Sequence, residues 1–283
     1  ALMEASHRSG FVGIVGRPNV GKSTILNAWL GEKVAIVSPR PQTTRYRILG
    51  VLTRPDAQIM FLDSPGLHKP EHALGRHMQE AAKAVVDEAD LLVAVMDARA
   101  GLTDEDERAF ALLDRATRPI LLAINKVDLV KKPLLLPLIE SCANTGRFAA
   151  CVPVSAKTGD QMDVLLQEVI ARLPEGPQWY EPEQRTDQTP RQRVAELIRE
   201  QALLATRQEV PHAVGVLVDE MEERPRVLAI QATILVERPG QKAILIGRRG
   251  GMLKSIGQEA RRQIERLLGR KVFLGLWVKV APA

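Results

Sequence analysis

The sequence predicts an α/β domain built on a mostly parallel sheet with helices on both faces, followed by a smaller α+β module. Three observations carry this expectation. Apolar strand-like runs alternate with amphipathic helical stretches from residue 11 to about 173. Residues 16–23 read Gly-Arg-Pro-Asn-Val-Gly-Lys-Ser, a full G-x-x-x-x-G-K-[ST] phosphate-binding loop. After a Pro-rich stretch the periodicity restarts in the order α-β-β-α-α-β.

In the first domain the strand-like runs are 11–16, 58–63, 91–97, 119–125 and 149–155. Amphipathic stretches at 104–116, 134–143 and 160–173 lie among the later runs, and a helical pattern starts near Thr24. Residues 48–52 precede run 58–63 by a turn containing Pro55 and Asp56. That turn is too short for a crossover helix, so the pair reads as an antiparallel hairpin at the sheet edge. Residues 174–190 hold four prolines and little periodicity, which marks them as a linker. The expected domains are therefore 1–173 and 191–283. In the second, Thr189 and Pro190 start a helix over 191–207. Strands follow at 213–221 and 227–236, then a helix pair around 243–250, and a final strand at 272–280.

The 283 residues, 45% apolar and 26% charged, suffice for two cores. No apolar run approaches 18 residues, and no apolar segment with basic flanks stands near the start. Neither a transmembrane helix nor a secretory signal is expected. Cys142 and Cys151 have no metal or redox spacing and read as reduced thiols of a cytoplasmic protein. Residues 241–283 carry ten Lys/Arg against two acids, a net +8, which leaves −3 for the remainder. A basic module joined to a mildly acidic one points to a polyanion as the partner of the second.

The loop Gly16, Arg17, Pro18, Asn19, Val20, Gly21, Lys22 and Ser23 turns its backbone N–H groups toward phosphates, with the positive end of a helix behind it. Lys22 would reach the β and γ phosphates, and the Ser23 hydroxyl would bind Mg²⁺. Asp63, Ser64, Pro65 and Gly66 close the run that ends at Leu62. Asp63 suits a Mg²⁺ role, and the Gly66 N–H can approach the γ-phosphate. Asn125, Lys126, Val127 and Asp128 follow the run 119–124. The Asp128 carboxylate can accept from both N1–H and the 2-amino group of guanine, a donor pair adenine lacks. Ser155, Ala156 and Lys157 lie after the next strand and can contact the base through the backbone.

In order and strand-end placement, these four segments resemble a G-protein domain of the translation-factor-like class. The resemblance implies GTP and GDP as ligands with Mg²⁺. It also implies a further Mg²⁺ ligand in Pro41-Gln42-Thr43-Thr44-Arg45, Thr44 being favoured over Thr43. Lys22, Thr44 and Gly66 are then the groups expected around the reacting phosphate. Ras-like proteins place a Gln directly after Asp-x-x-Gly to orient water. Leu67 stands there and can neither donate nor accept, so slow intrinsic turnover is expected. Some relatives with Asn at the fourth loop position, here Asn19, use K⁺ in place of an arginine finger, which makes K⁺ a candidate cofactor.

Gly247, Arg248, Arg249 and Gly250 resemble the Gly-x-x-Gly loop of KH domains, which clamps single-stranded nucleic acid between two helices. The two arginines and Lys254 are the candidate phosphate contacts. The element order fits the type II KH fold. A P-loop GTPase domain with Gln-Thr-Thr-Arg and Asp-Ser-Pro-Gly-Leu-His, then a KH module ending in Leu-Trp-Val-Lys-Val, closely resembles the Era family over residues 9 to 280. The resemblance implies a GTPase that binds the 3′ end of 16S ribosomal RNA and assists 30S subunit maturation. It further implies a cytoplasmic location with peripheral association at the inner membrane; a monomer is expected.

Overall fold

The computed structural model describes residues 7–40, 43–67, 73–114, 116–206 and 214–281. Pro41 and Gln42 of the Thr-Thr-Arg stretch, His68, and the start of the strand expected at 213 lie outside these. The chain divides into two compact units. The first holds 1–35 and 44–187, the second 36–43 and 188–283.

The first unit is a six-stranded sheet in the order β2-β3-β1-β4-β5-β6. Its strands are β1 (Arg8–Val15), β2 (Ile48–Thr53), β3 (Ala57–Asp63), β4 (Leu91–Asp97), β5 (Ile120–Asn125) and β6 (Ala150–Pro153). All pairings are parallel except β2–β3, the expected edge hairpin. Parallel strands bury both faces, so residues alternate between two cores. Val93, Val95, Leu121 and Ala123 face one, and Leu92, Ala94, Met96, Leu122 and Ile124 the other. The first core is closed by α1 (Lys22–Leu30) and α5 (Met162–Arg172). There Trp29 stacks on Phe61 with centroids 4.6 Å apart.

Helix α2 (Ala73–Glu88) was not among the elements expected from sequence, and it packs its apolar side on the second core. Helix α3 (Asp104–Phe110) is shorter than the expected 104–116. Thr103 and Asp106 cap it reciprocally. Helix α4 (Lys132–Ala143) begins two residues earlier than expected. Residues 174–187, expected as linker, are hydrogen-bonded into this unit. Ser9 N–H donates to Pro174 O (3.1 Å), Val51 N–H to Arg185 O (2.8 Å), and the Gln58 side chain binds the backbone of Trp179 and Tyr180.

The second unit begins its regular structure with α6 (Pro190–Ala205), capped by Thr189 and Gln192 with Pro190 in its first turn. A three-stranded sheet follows, of β7 (Gly215–Glu223), β8 (Leu228–Val236) and β9 (Val272–Val280) in that order. The β7–β8 pair is antiparallel and β8–β9 is parallel. Helices α7 (Pro239–Ile246) and α8 (Gly251–Leu268) complete the α-β-β-α-α-β order. Ile230, Ala232, Ile234, Ile256, Ala260 and Ile264 are buried between sheet and helices. Segment 36–43 is fastened to α6: Val37 N–H donates to Glu200 Oε1 (2.9 Å), Arg40 Nη2 to Thr206 O (2.7 Å), and Arg199 Nη2 to Thr43 O (2.5 Å).

Burial raises the Cys142 thiol to about 11 and pushes Cys151 up as well. At pH 8 the folded protein should therefore resist iodoacetamide over a period that labels both cysteines of the denatured chain. Rapid native labelling at Cys142, read by peptide mass, would contradict the packing.

Candidate nucleotide and RNA sites

The phosphate loop leaves the central strand β1, whose neighbours β3 and β4 lie on opposite sides. This is the switch point at which an α/β sheet opens a crevice. The ends of β3, β5 and β6 bring the other predicted segments to the same edge. Gly21 has φ of 103°, and a Cβ there would sit 2.2 Å from Asn125 Nδ2. Only glycine permits both the left-handed turn and that approach. A Cβ on Gly66 would meet Pro18 Cα at 2.8 Å, so the two phosphate-facing loops run in direct contact.

Asn125 ties three loops together. Its Nδ2 donates to Val20 O (2.9 Å), and its Oδ1 accepts from Lys126 N–H (2.8 Å) and Ala156 N–H (3.1 Å). Ser155 Oγ donates to Asp128 Oδ1 at 2.7 Å and fixes one oxygen of that carboxylate. Lys126 reaches across the phosphate loop to Asn19 O and Asp97 Oδ2 (2.8 Å). Val127 is buried, and Lys157 is exposed with no side-chain contact among those described. Ser64 is buried, with its hydroxyl on Ile14 O (2.7 Å), and Pro65 is buried beside it, so both support the loop from beneath.

Lys22 is buried with Nζ on Gly16 O (3.0 Å) and Arg17 O (2.9 Å). Burial lowers it to about 8, opposed by Asp63 and reinforced by Arg17. Burial likewise raises Asp63 to about 6, against the pull of Lys22 and the Ser23 and Thr44 hydroxyls. Ser23 Oγ donates to Asp63 Oδ2 (2.6 Å) and lies 3.0 Å from Thr44 Oγ1. Asp63 Oδ1 is buried without a protein partner. A buried carboxylate with one unsatisfied oxygen, flanked by two hydroxyls, is an all-oxygen donor set that fits Mg²⁺. Ser23, Thr44 and Asp63 would hold the cation, which supplies charge neutralisation at the β and γ phosphates. Thr43 instead turns its hydroxyl to Arg40 O (2.7 Å), which separates it from its neighbour. Leu67 is 7% exposed in the second core, and its N–H donates to Gly16 O (3.1 Å). It has neither the chemistry nor the position to orient water.

Two residues of this site escaped the sequence reading. Asp97, at the end of β4, binds Lys126 and a bidentate Arg99 (3.1 and 2.7 Å). Burial pushes its carboxyl up, but the hydrogen bonds from Arg99 and Lys126 outweigh burial and hold it well below the usual range. Asp106 is fully buried and takes Arg17 Nε at 3.0 Å, fixing the second loop residue to the start of α3. An Asp closing the run 91–97 was visible, but no spacing rule linked it to Lys126.

In the second unit Gly247 has φ of 70°, and a Cβ there would lie 2.6 Å from Met252 Cβ. Arg248 to Gly250 form one tight turn between α7 and α8, which exposes Arg248 and Arg249. Gly250, Lys254 and Arg261 line a groove of about 430 Å³ whose other wall is Phe273, Leu274 and Leu276 of β9. Among the described residues, Arg248, Arg249 and Lys254 form no ion pair with a carboxylate, while Arg261 lies within the field of Glu265. Of the predicted residues, Gly250 and Lys254 line this groove, and Arg248 and Arg249 stand exposed on the adjoining turn, chemistry that suits a single-stranded backbone.

Asp128→Asn should weaken GTP by about 10- to 100-fold, the worth of hydrogen bonds to a charged group, and favour xanthine nucleotides, whose 2-oxo group accepts from an amide. Equal GTP affinity in a titration would refute the base assignment. Asp97→Asn should raise the GTP Kd roughly fivefold through loss of charge against Lys126. Because the folded pKa of Asp97 is depressed, its stabilising term is fully present above pH about 4 and is lost as pH falls further. Stability curves of wild type and Asp97→Asn should therefore converge in acid. A constant gap down to pH 2 would contradict this.

The family model described as "50S ribosome-binding GTPase" matches residues 11–126, and the KH domain model matches 209–283. The chain is 50% identical to GTPase Era of Lacticaseibacillus paracasei, covering 98% of this chain and 92% of that protein. It is 47% identical to GTPase Era of Leuconostoc citreum, covering 99% and 94%. Among solved structures it is similar to Era in complex with MgGDPNP and nucleotides 1506–1542 of 16S ribosomal RNA. There the TM-score is 0.95 and identity 41% over 98% of this chain and 94% of that one. Aquifex aeolicus Era bound to GDP·AlF4⁻ matches with TM-score 0.94 and 40% identity, covering 97% and 94%. With a phosphate loop, the Asn-Lys-Val-Asp segment and a Gly-x-x-Gly turn in that order, the chain belongs to the Era family of GTPases.

Proposed function

We propose that this GTPase is a nucleotide-timed clamp on the 3′ end of 16S ribosomal RNA and assists assembly of the 30S subunit in the cytoplasm. The observation that carries the reading is the groove lined by Gly250, Lys254 and Arg261 beside the Gly-x-x-Gly turn, in a chain whose fold matches that of the RNA-bound relative. The proposed domain roles are nucleotide exchange and hydrolysis in the first unit and RNA retention in the second. No described helix is long and apolar enough to cross a membrane, so the inner-membrane association implied by the resemblance would be peripheral.

Timing needs a route from phosphate to groove. Thr44, beside Ser23, follows Thr43 directly, and Thr43 O accepts from Arg199 of α6. Mg²⁺ and the γ-phosphate draw on Thr44, and the chain passes that pull to the segment fastened on α6. Supporting this, Arg199 and Glu200 are both buried while holding segment 36–43.

RNA containing nucleotides 1506–1542 should bind with different affinity in the presence of GTP analogue and of GDP. Arg199→Ala should shrink that difference at unchanged GTP affinity, with Arg40→Ala as a milder second variant. An undiminished difference in both would overturn the route. With no water-orienting side chain at Leu67, hydrolysis draws on backbone groups, another side chain, a cation such as K⁺ near Asn19, or a partner. Turnover in matched KCl and NaCl tests the cation: faster hydrolysis in KCl assigns it a role, and equal rates remove it.

A further inference from the structure

The KH sheet is covered by helices on one face only, and the other face carries two exposed aromatic rings on the edge strand β9. Phe273 and Trp277 are 54% and 53% exposed, unlike Phe61, Phe110 and Trp29, which are in the core. Four residues apart on one strand, they point to the same side and lie about 13 Å apart. Their register partners on β8 are Ala229 and Thr233, too small to cover them. Between them stands Gly275, where a Cβ would fall 3.0 Å from Trp277 Cη2 and 2.0 Å from Gln231 Oε1. The indole therefore leans back along the strand toward Phe273 and leaves its far side to solvent.

Phe273 also forms part of the wall of the Gly-x-x-Gly groove, opposite Lys254 and Arg261. Because β9 is the last strand of the sheet, the groove and the open face meet at its rim. Lys279 continues the line of outward residues beyond Trp277. On the far strand β7 the open face carries acids beside one apolar residue: Asp219 accepts from Thr233 Oγ1 at 2.8 Å, Glu222 is exposed, and Leu217, in register with Thr233, is exposed as well. A polyanion is thus repelled from β7 and confined to the β9 side. Gly275 and Gln231 stand between the two rings, and Thr233 stands between Trp277 and Leu217, so the apolar groups are not joined into the contiguous patch that a protein interface core requires.

We propose that single-stranded RNA leaving the Gly-x-x-Gly groove passes over the β9 rim and stacks bases on Phe273 and then on Trp277, a second subsite on the open sheet face. The inference rests on the RNA-clamp reading and names where the chain goes after the groove. Stacking on an aromatic face is sequence-tolerant, so the subsite adds affinity and length preference while the groove retains base selection.

The test uses the full chain with Trp179→Phe, so that Trp277 is the exposed fluorescent reporter. The probes are the RNA of nucleotides 1506–1542 and nested truncations from either end, down to the shortest whose binding is lost with Gly247→Asp. Trp277 emission should be quenched by the long RNA and not by the shortest. Trp277→Ala should weaken the long RNA about 5- to 150-fold, the range for one stacked base, and leave the shortest unchanged, while Trp277→Phe restores most of the loss. If Gly247→Asp weakens the long RNA but Trp277→Ala does not and quenching is absent, the second subsite is wrong and the clamp stands. If Gly247→Asp has no effect on any probe, the clamp reading itself fails. A change in oligomeric state with Trp277→Ala at constant RNA affinity would assign the face to a second copy and overturn the proposal.

Discussion

One buried carboxylate organises the nucleotide end of this molecule. Asp63 lies at the end of β3 with no solvent exposure, one oxygen on Ser23 and the other without a protein partner. Leaving such a group uncompensated costs several kcal/mol in a protein interior. The arrangement is therefore tolerable only where a cation completes it, or where the carboxyl rises toward neutrality, as burial makes it do. The same physics places Lys22 among carbonyl oxygens until phosphate supplies the charge it lacks. The site is built to be finished by its ligands.

Around that centre the bonding is unequal. The base side is held by short bonds among protein groups. Asn125 spans three loops, Ser155 aims Asp128, and Asp97 anchors Lys126. These bonds are formed among protein groups without nucleotide, so a base bound here would meet an ordered edge at small cost in ordering. The γ-phosphate side has fewer such ties. Thr44 meets Ser23 and Asp63 through hydroxyl contacts that Mg²⁺ would replace. The proposed switch therefore places base selection on the well-bonded side and the ligand-dependent contacts on the other.

Much of this was legible from residues alone because several motifs carry their own geometry. A phosphate loop after an apolar run demands a strand before it and a helix after it, and β1 and α1 supply both. The short turn at Pro55 and Asp56 excluded a crossover, and β2–β3 is antiparallel. The misses share a cause. Helix α2 buries only scattered apolar residues, Met78, Ala82, Val85 and Val86, among exposed charged ones, so it lacks the continuous apolar run that marks the strands. Residues 174–187 look like linker by composition, yet their backbone finds partners on β1, β2 and Gln58, which no local pattern reveals. Asp97 and Asp106 act through residues far away in sequence, Lys126 and Arg17, and only the fold brings them together.

The two units share a covalent hinge between Thr43 and Thr44. One residue belongs to the cation site and the other accepts from the α6 arginine. In the proposed route, a ligand at Thr44 acts through the chain on a segment hydrogen-bonded to α6. The most direct measurement of this claim is amide hydrogen exchange of the full chain with GDP and with Mg²⁺ and a non-hydrolysable GTP analogue, resolved over residues 36–44 and α6. The account predicts that protection changes in both segments together when the γ-phosphate is present and that Asp63→Asn abolishes both changes. Protection confined to the phosphate loop, with 36–44 and α6 unchanged, would contradict it.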